Sequence, residues 1–212
     1  MDATIKNIFE AILAGEADTV KVNIQAALDA GLDPNQVLNE GMIAAMREVG
    51  QRFEAGDFFV PEMLISARAM QGGMALLKPH LAQGDVKSSG KVVIGTVKGD
   101  LHDIGKNLVA LMLEGAGFEI KDLGTDVAAE DFIAALKAEK ADILALSALL
   151  TTTMPSMAQT IEAVKAAGLR GQVKIIIGGA PVTEAYAKQV GADGYSPDAS
   201  RAVGLAESLM KA

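Results

Sequence analysis

One of the chain's two histidines lies among polar and glycine residues directly after an apolar run. The run, residues 92–97, reads Val-Val-Ile-Gly-Thr-Val, and the segment after it contains Asp100, His102, Asp103 and Gly105. Ligands of open α/β sheets bind at the carboxyl ends of the strands, so this position favours a functional imidazole. Asp100 can accept a hydrogen bond from one ring nitrogen and leave the other free to ligate a metal. An ordinary solvated turn histidine is the alternative.

Two further segments with polar or glycine residues follow apolar runs later in the chain. Residues 147–149 read Ser-Ala-Leu and lead into three threonines at 151–153, and residues 178–179 are Gly-Gly. If each segment ends a strand of one parallel sheet, all of them converge on the edge that carries His102. Glycines there would let a large ligand approach the backbone, although a tight turn also explains the pair.

Composition excludes several classes of protein. The 212 residues contain no cysteine, which excludes a disulfide scaffold, thiolate catalysis and a cysteine-based zinc site. A formal net charge of -8 argues against nucleic acid or an anionic membrane as the main partner. No apolar run approaches transmembrane length and the start lacks the order of a signal peptide, so we expect a soluble, cytoplasmic protein. Asp122, Asp126 and Asp142 are expected to solvate the ends of strands and helices.

The two halves of the chain have different hydrophobic periods. Residues 1–85 carry apolar residues at helical spacing and are predicted to form a four-helix bundle. Residues 86–90 are predicted to be a linker. Residues 91–212 are predicted to form an α/β domain with a doubly wound, five-stranded parallel sheet of the Rossmann or flavodoxin-like type. Its predicted strands are 92–97, 118–122, 143–147, 173–177 and 194–195. Its predicted helices are 105–116, 129–139, 155–167, 184–190 and 198–210.

The order and spacing of the three motifs resemble the signature of corrinoid proteins that bind cobalamin "base-off, His-on". Asp-x-His-x-x-Gly at 100–105, Ser-x-Leu at 147–149 and Gly-Gly at 178–179 follow one another at the family's intervals. The first half resembles the helical cap domain of methionine synthase and of the small methyl-carrying corrinoid proteins of acetogens and methanogens. Phe-Phe-Val-Pro-Glu at 58–62 and Ser-Ala-Arg-Ala-Met at 66–70 carry that part of the resemblance.

The resemblance implies a role for each motif. His102 would be the lower axial ligand of cobalt, oriented by Asp100, with the Thr153 hydroxyl completing a relay where the family commonly has a serine. The displaced nucleotide tail of the cofactor would run along a cleft in the sheet. Apolar cap residues would shield the upper face of the corrin, although bundle core is the alternative for each of them. The expected cofactor-binding residues are Asp100, His102, Asp103, Gly105, Ser147, Leu149, Thr151, Thr153, Gly178, Gly179, Tyr195, Phe59, Met63, Leu64 and Met70.

The resemblance also implies a methyl carrier that is not a complete enzyme by itself. The expected partners are a substrate-specific methyltransferase, a second methyltransferase to coenzyme M or tetrahydrofolate, and a reductive activator, with neither nucleic acid nor a membrane. A cobalamin-based sensor is the alternative, but that class usually adds a DNA-binding helix-turn-helix. A mutase subunit would need a substrate barrel. A response-regulator-like domain would need a lysine after the fifth strand, where residues 196–198 read Ser-Pro-Asp. The methyl donor is left open.

Overall fold

The computed structural model describes residues 2–81 and 88–211. They form two compact units, one made of the residues up to 81 together with 115–117, and the other of the remaining residues from 88 onward. Of the predicted linker, 86–90, residues 86 and 87 lie outside the described residues. Among the helices that the structure describes, none combines the length and the apolar character needed to span a membrane.

The first unit is helical. Its elements are α1 (Ala3–Leu13), α2 (Ala17–Asp29), α3 (Pro34–Gln36), a π-helical segment (Val37–Ile43), α4 (Ala44–Ala55), α5 (Val60–Leu77) and a 3₁₀ turn (Lys78–His80). The elements from α3 to α4 follow one another without a break and occupy the place of the third predicted helix. The π-helical segment was not predicted, because the apolar residues of this region stand at ordinary α-helical spacing in the sequence.

Local chemistry sets the ends of these helices. The Asp33 carboxylate accepts a hydrogen bond from the Asn35 amide at 3.0 Å, and Pro34 occupies the first turn. Gly56 ends α4 with a φ of 82°, a conformation that glycine adopts without steric cost. Between their ends the helices bury side chains at helical spacing. The largest fully buried side chains of this unit are Ile5, Ile8, Ile12, Ile24, Met42, Met46, Met63 and Leu77.

The second unit is a parallel sheet with helices between successive strands. Its strands are β1 (Lys91–Thr96), β2 (Glu119–Asp122), β3 (Ile143–Ser147), β4 (Lys174–Gly178) and β5 (Gly194–Ser196). Its helices are α6 (Ile104–Gly115), α7 (Ala129–Glu139), α8 (Met154–Ala166), α9 (Glu184–Val190) and α10 (Ala199–Lys211). All strand pairs are parallel, in the order β2-β1-β3-β4-β5. The predicted five-stranded, doubly wound sheet is confirmed, with each strand end within one residue of the prediction.

The central strands are buried, as expected for a sheet covered by helices. β1, β3 and β4 each contain a run of buried aliphatic residues, whereas β2 at the edge is mostly exposed. Gly95 interrupts the aliphatic run of β1 for a packing reason. A Cβ at this position would lie 2.7 Å from Cε1 of Phe132, whose fully buried ring belongs to α7. Because Gly95 has no side chain, the Phe132 ring can occupy this part of the core.

The strand order places the functional edge of this unit. β1 leads to β2 on one side, while β3, its other neighbour, leads to β4 on the opposite side. Thr96 pairs with Ser147, so both strands end at the same level. The loops that follow β1 and β3 therefore start side by side and diverge. A topological switch point of this kind is where ligands of open α/β sheets bind.

Candidate functional site

A single buried carboxylate, that of Asp100, joins the loops after β1 and β3. One of its oxygens accepts a hydrogen bond from the His102 amide at 3.1 Å and lies 3.0 Å from Nδ1 of the same residue. The other oxygen accepts from the Thr153 hydroxyl at 2.7 Å and from the amides of Leu149 at 2.8 Å and Leu150 at 3.3 Å. The Asp100 side chain is completely buried. The structure thus brings together residues from two sequence motifs that are far apart in the chain.

These contacts determine the protonation state of the pair. Burial by itself raises the pKa of Asp100, but the hydrogen bonds from Thr153, His102 and Leu149 favour the carboxylate and hold the pKa well below its ordinary range. An ionised carboxylate can only accept hydrogen bonds, so Nδ1 of His102 carries the proton that faces it. In a neutral ring, Nε2 then has the free lone pair. The imidazole is 53% exposed, so this lone pair belongs to a ring that a ligand can reach.

Hydroxyl groups hold the His102 loop at two other points. The fully buried Thr96 donates from Oγ1 to the His102 carbonyl at 2.8 Å. Ser156, in the first turn of α8, donates to the Lys98 carbonyl at 3.0 Å. Sequence reasoning missed both residues. A threonine inside the aliphatic run of β1 was the available signal for Thr96, but nothing local distinguishes Ser156.

The first turn of α6 combines an open position with a buried cation. Gly105 is exposed, and no atom lies within 4 Å of where its Cβ would be, so space is available beside the helix. Asp103, just before the helix, is exposed and accepts from Nδ2 of Asn107 at 3.1 Å. Lys106, which sequence reasoning missed, is almost completely buried and pairs with Asp122 at the end of β2. Asp122 therefore does more than solvate a strand end, because its carboxylate is the ion-pair partner of this lysine.

The two glycines after β4 are required by the chain's own backbone. A Cβ at Gly179 would lie 1.8 Å from the Ala148 carbonyl oxygen, and the φ of Gly179 is 132°. A Cβ at Gly178 would lie 3.2 Å from the carbonyl oxygen of Ser196. The contact at Gly179 explains that glycine without a ligand, whereas the contact at Gly178 is tight but leaves some room. They also bring the end of β4 against the loop that contains Leu149.

The remaining expected residues of the sheet lie along the same edge. The half-buried Ser147 ends β3, and its hydroxyl has no hydrogen-bond partner among the residues that the structure describes. Thr151, in the following loop, is exposed. Tyr195 lies on β5, is half-buried against the core of this unit and is separated from β1 by two strands. Two strands, β3 and β4, therefore lie between Tyr195 and the strand that leads to His102.

The expected cap residues belong to the first unit and differ in burial. Met63 is fully buried and Met70 nearly so, as the bundle-core alternative requires. Leu64 is half-buried, and Phe59, at the start of α5, is 65% exposed. Phe59 and Leu64 therefore have side-chain surface available for a ligand, whereas the two methionines have almost none.

Large apolar side chains are exposed on both sides of His102. Leu101 is 73% and Ile104 is 77% exposed, and Leu149 and Leu150 in the neighbouring loop are also exposed. Adjacent exposed apolar residues of this size mark an interaction site more often than ordinary surface. The exposed imidazole, the exposed apolar side chains and the open position at Gly105 together leave this edge of the sheet accessible to a ligand.

Comparison with known proteins identifies that ligand. A family model described as the B12 binding domain matches residues 90–204, and a second model with the same description matches residues 4–78. The chain belongs to the B12-binding corrinoid proteins. The cofactor of this corrinoid protein is therefore cobalamin or a related corrinoid, and the predicted cofactor and family are confirmed.

Relatives of this corrinoid protein match along most of its length. Dimethylamine corrinoid protein 1 of Methanosarcina acetivorans is 42% identical over 207 residues, which cover 97% of each chain. Trimethylamine corrinoid protein 2 of the same organism is 47% identical over 187 residues, covering 87% of this chain and 86% of the relative. Both relatives are thus, by name, methylamine corrinoid proteins.

A solved structure gives the same family. The methanol:cobalamin methyltransferase complex of Methanosarcina barkeri contains a chain that matches with a TM-score of 0.89 and 33% identity. The match covers 99% of this corrinoid protein and 80% of that chain. A cobalamin-binding protein from Desulfitobacterium hafniense matches with a TM-score of 0.81 and 32% identity, over 99% of this chain and 98% of that one.

Proposed function

We propose that this corrinoid protein carries a methyl group on the cobalt of cobalamin between two methyltransferases, with the cofactor bound base-off and His102 as the lower axial ligand. The observation that carries the proposal is the hydrogen-bonded set of His102, Asp100 and Thr153, which leaves an exposed Nε2 lone pair beside an apolar rim. The relatives' names, which are those of methylamine corrinoid proteins, support a carrier over a sensor.

The chain's own residues have separate tasks in this proposal. Asp100 holds the proton of His102 on Nδ1 and so keeps Nε2 free to bind the metal. Asp100 keeps its negative charge in the folded protein. The Thr153 hydroxyl and the Leu149 amide stabilise that charge inside the protein. When bound, cobalamin supplies the cobalt to which the transferred methyl group is attached.

The nucleotide tail of the cofactor needs a path along the sheet. Ser147 offers a half-buried hydroxyl with no partner among the described residues, and Gly105 leaves space at the start of α6. We propose that the tail passes these two residues and Leu149 toward Gly178, Gly179 and Tyr195. The glycine pair contributes by allowing the end of β4 to approach the β3 loop, since the space of a side chain at Gly179 is already occupied by backbone.

We further propose that residues 1–85 act as a cap for the cofactor domain, 91–212, in a cytoplasmic protein. A cap that excludes water protects a reactive cofactor while no partner is bound, and it must move to admit one. Phe59 is the strongest candidate for contact with the upper face of the corrin because it is largely exposed, followed by the half-buried Leu64. Met63 and Met70 support that surface from the core of the helical unit.

The names of the similar proteins support a methyltransferase as a partner. We propose that one methyltransferase delivers the methyl group from a simple methylated amine or from methanol, since these compounds appear in the names of the relatives and of the matched complex. A second methyltransferase would pass the methyl group to coenzyme M or tetrahydrofolate. A reductive activator would return an oxidised carrier to its reduced state.

The chain offers a matched test of His102 as the cobalt ligand. His102→Ala removes the proposed ligand, whereas His80→Ala removes the other histidine, which is exposed in the helical unit. We expect the visible spectrum of bound hydroxocobalamin to lose its histidine-ligated form in the first variant and to keep it in the second. An unchanged spectrum in His102→Ala would refute the proposed ligation. Methyl transfer from each candidate donor with its partner enzyme then identifies the substrate.

A further inference from the structure

Asp126, between β2 and α7, has a backbone conformation that residues with a side chain rarely adopt. Its φ of 54° lies in the left-handed region, where Cβ is crowded by the backbone. Strain of this kind persists only where the surrounding contacts require the conformation. We therefore expect the contacts of Asp126 to compensate for this strain. These contacts lie at the functional edge of the sheet.

Asp126 holds the turn before His102 with both its backbone and its side chain. Its amide donates to the Asp100 carbonyl at 2.9 Å, and its Oδ1 accepts from the Gly99 amide at 2.8 Å. Its Oδ2 lies 3.1 Å from Nζ of Lys98. One residue thus engages three consecutive residues of the loop, ending at the residue whose carboxylate orients the imidazole.

The charge of Asp126 suits this role. The hydrogen bond from the Gly99 amide, followed by that from Lys98, lowers the pKa of Asp126. A carboxylate that remains ionised is a stronger acceptor than a neutral group. Gly99 has a φ of 86°, so the turn that Asp126 stabilises contains a conformation that glycine adopts without steric cost. Without the Asp126 carboxylate as acceptor for the Gly99 amide, this turn would have several conformations available.

We propose that Asp126 is a positioning residue of the cobalamin site, whose carboxylate preorganises the turn at residues 98–100 so that Asp100 meets His102 and Thr153 before the cofactor binds. The inference rests on the proposed ligation of cobalt by His102. Preorganisation of this kind raises affinity, because the cost of ordering the loop is not subtracted from the free energy of binding.

Two substitutions separate the carboxylate from the backbone strain. Asp126→Gly removes the side chain and adopts a φ of 54° freely, so the relief of strain offsets part of the lost hydrogen bonding and the domain is expected to fold. Asp126→Asn keeps an acceptor for the Gly99 amide. Asparagine is also one of the few residue types that tolerate the left-handed region. We expect about tenfold weaker cobalamin binding in Asp126→Gly, the equivalent of one hydrogen bond, and most of the wild-type affinity in Asp126→Asn.

The experiment has one measurement without the cofactor and two with it. In the cofactor-free protein, amide hydrogen exchange by NMR should be about tenfold faster at Gly99 in Asp126→Gly than in wild type. With hydroxocobalamin, a binding titration gives the dissociation constant, and the visible spectrum at saturation gives the histidine-ligated fraction, which should also fall. Recovery of both by Asp126→Asn would separate positioning from a general loss of structure.

The outcomes distinguish this inference from the proposed function. If Asp126→Gly binds hydroxocobalamin with wild-type affinity and spectrum, or if Asp126→Asn is as defective as Asp126→Gly, the positioning role is overturned. His102→Ala, measured in parallel, tests the ligation itself. If that variant keeps the wild-type spectrum, the ligation fails, while Gly99 exchange and the dissociation constants still decide whether Asp126 orders the loop.

Discussion

Replacing Asp100 by asparagine tests the site most directly, because the size of the side chain is retained while one acceptor becomes a donor. The asparagine NH₂ group must face either the two amides of Leu149 and Leu150 or the amide and ring of His102. With the NH₂ group toward His102 it opposes one backbone amide, whereas toward the β3 loop it would oppose two. The orientation toward His102 is therefore favoured. In that orientation Nδ1 of His102 must accept a hydrogen bond, so the ring proton moves to Nε2.

The expected magnitude follows from the contacts that are lost. The partly buried His102 amide loses its acceptor, which costs about 1–3 kcal/mol, and the donors on the other oxygen lose the benefit of a charged acceptor. We expect the free energy of unfolding in urea to fall by about 2–3 kcal/mol in Asp100→Asn. Asp131→Asn, on the exposed surface of α7, is the matched control and should change it by about 0.5 kcal/mol or less.

The tautomer is the more specific readout. ¹⁵N NMR of the imidazole in a His80→Ala background, which leaves a single histidine, reports which ring nitrogen carries the proton. Wild type should show a protonated Nδ1, and Asp100→Asn a protonated Nε2 that no longer ligates cobalt. An Nε2 that stays unprotonated in the variant, or an unfolding free energy within about 0.5 kcal/mol of wild type, would refute the reasoning.

The difference in unfolding free energy between wild type and Asp100→Asn should also depend on pH. Because the folded-state pKa of Asp100 is lowered, the folded protein holds fewer protons than the unfolded chain below the ordinary carboxyl value of about 4. The stabilisation is fully present above that value and is lost as the pH falls toward the folded pKa. The difference in unfolding free energy between wild type and Asp100→Asn should therefore shrink on acidification. A difference that grows below about pH 4 would contradict the assignment.

Two predictions concern residues that support the site. Gly179→Ala should destabilise the protein by more than about 2 kcal/mol in urea unfolding and weaken cobalamin binding, since its Cβ would lie 1.8 Å from the Ala148 oxygen. Gly204→Ala, in the exposed middle of α10 with no atom within 4 Å, should be neutral or slightly stabilising, and equal losses in both would contradict the steric argument. Lys106→Met should cost about 1–2 kcal/mol because it leaves Asp122 without its partner, a loss moderated by the partial exposure of that carboxylate. No loss in the lysine variant would show that the buried pair is dispensable.

Local pattern was sufficient to predict the elements of both halves. Aliphatic runs such as that of β3 and the helical spacing of Ile5, Ile8 and Ile12 reflect periods of two and about 3.6 residues, which depend only on neighbouring residues. The π-helical segment was not predicted because the apolar residues of this region stand at α-helical spacing in the sequence. The burial of Met63 and Met70 was not predictable either, since exposed and buried faces of an apolar helix carry the same residue types.

By itself the sequence determined the residue types of the site, their order along the chain and the strand ends at which they lie. His102, with Asp100 two residues before it, is a local arrangement and is visible as such. Only the tertiary structure decided what surrounds Asp100, because the Leu149 amide, the Thr153 hydroxyl and the Asp126 amide come from loops whose approach depends on the pairing of β1 with its neighbours. Strand pairing joins residues far apart in the chain, and no local spacing encodes it. The imidazole is therefore specified by the sequence, and its free Nε2 lone pair by the fold.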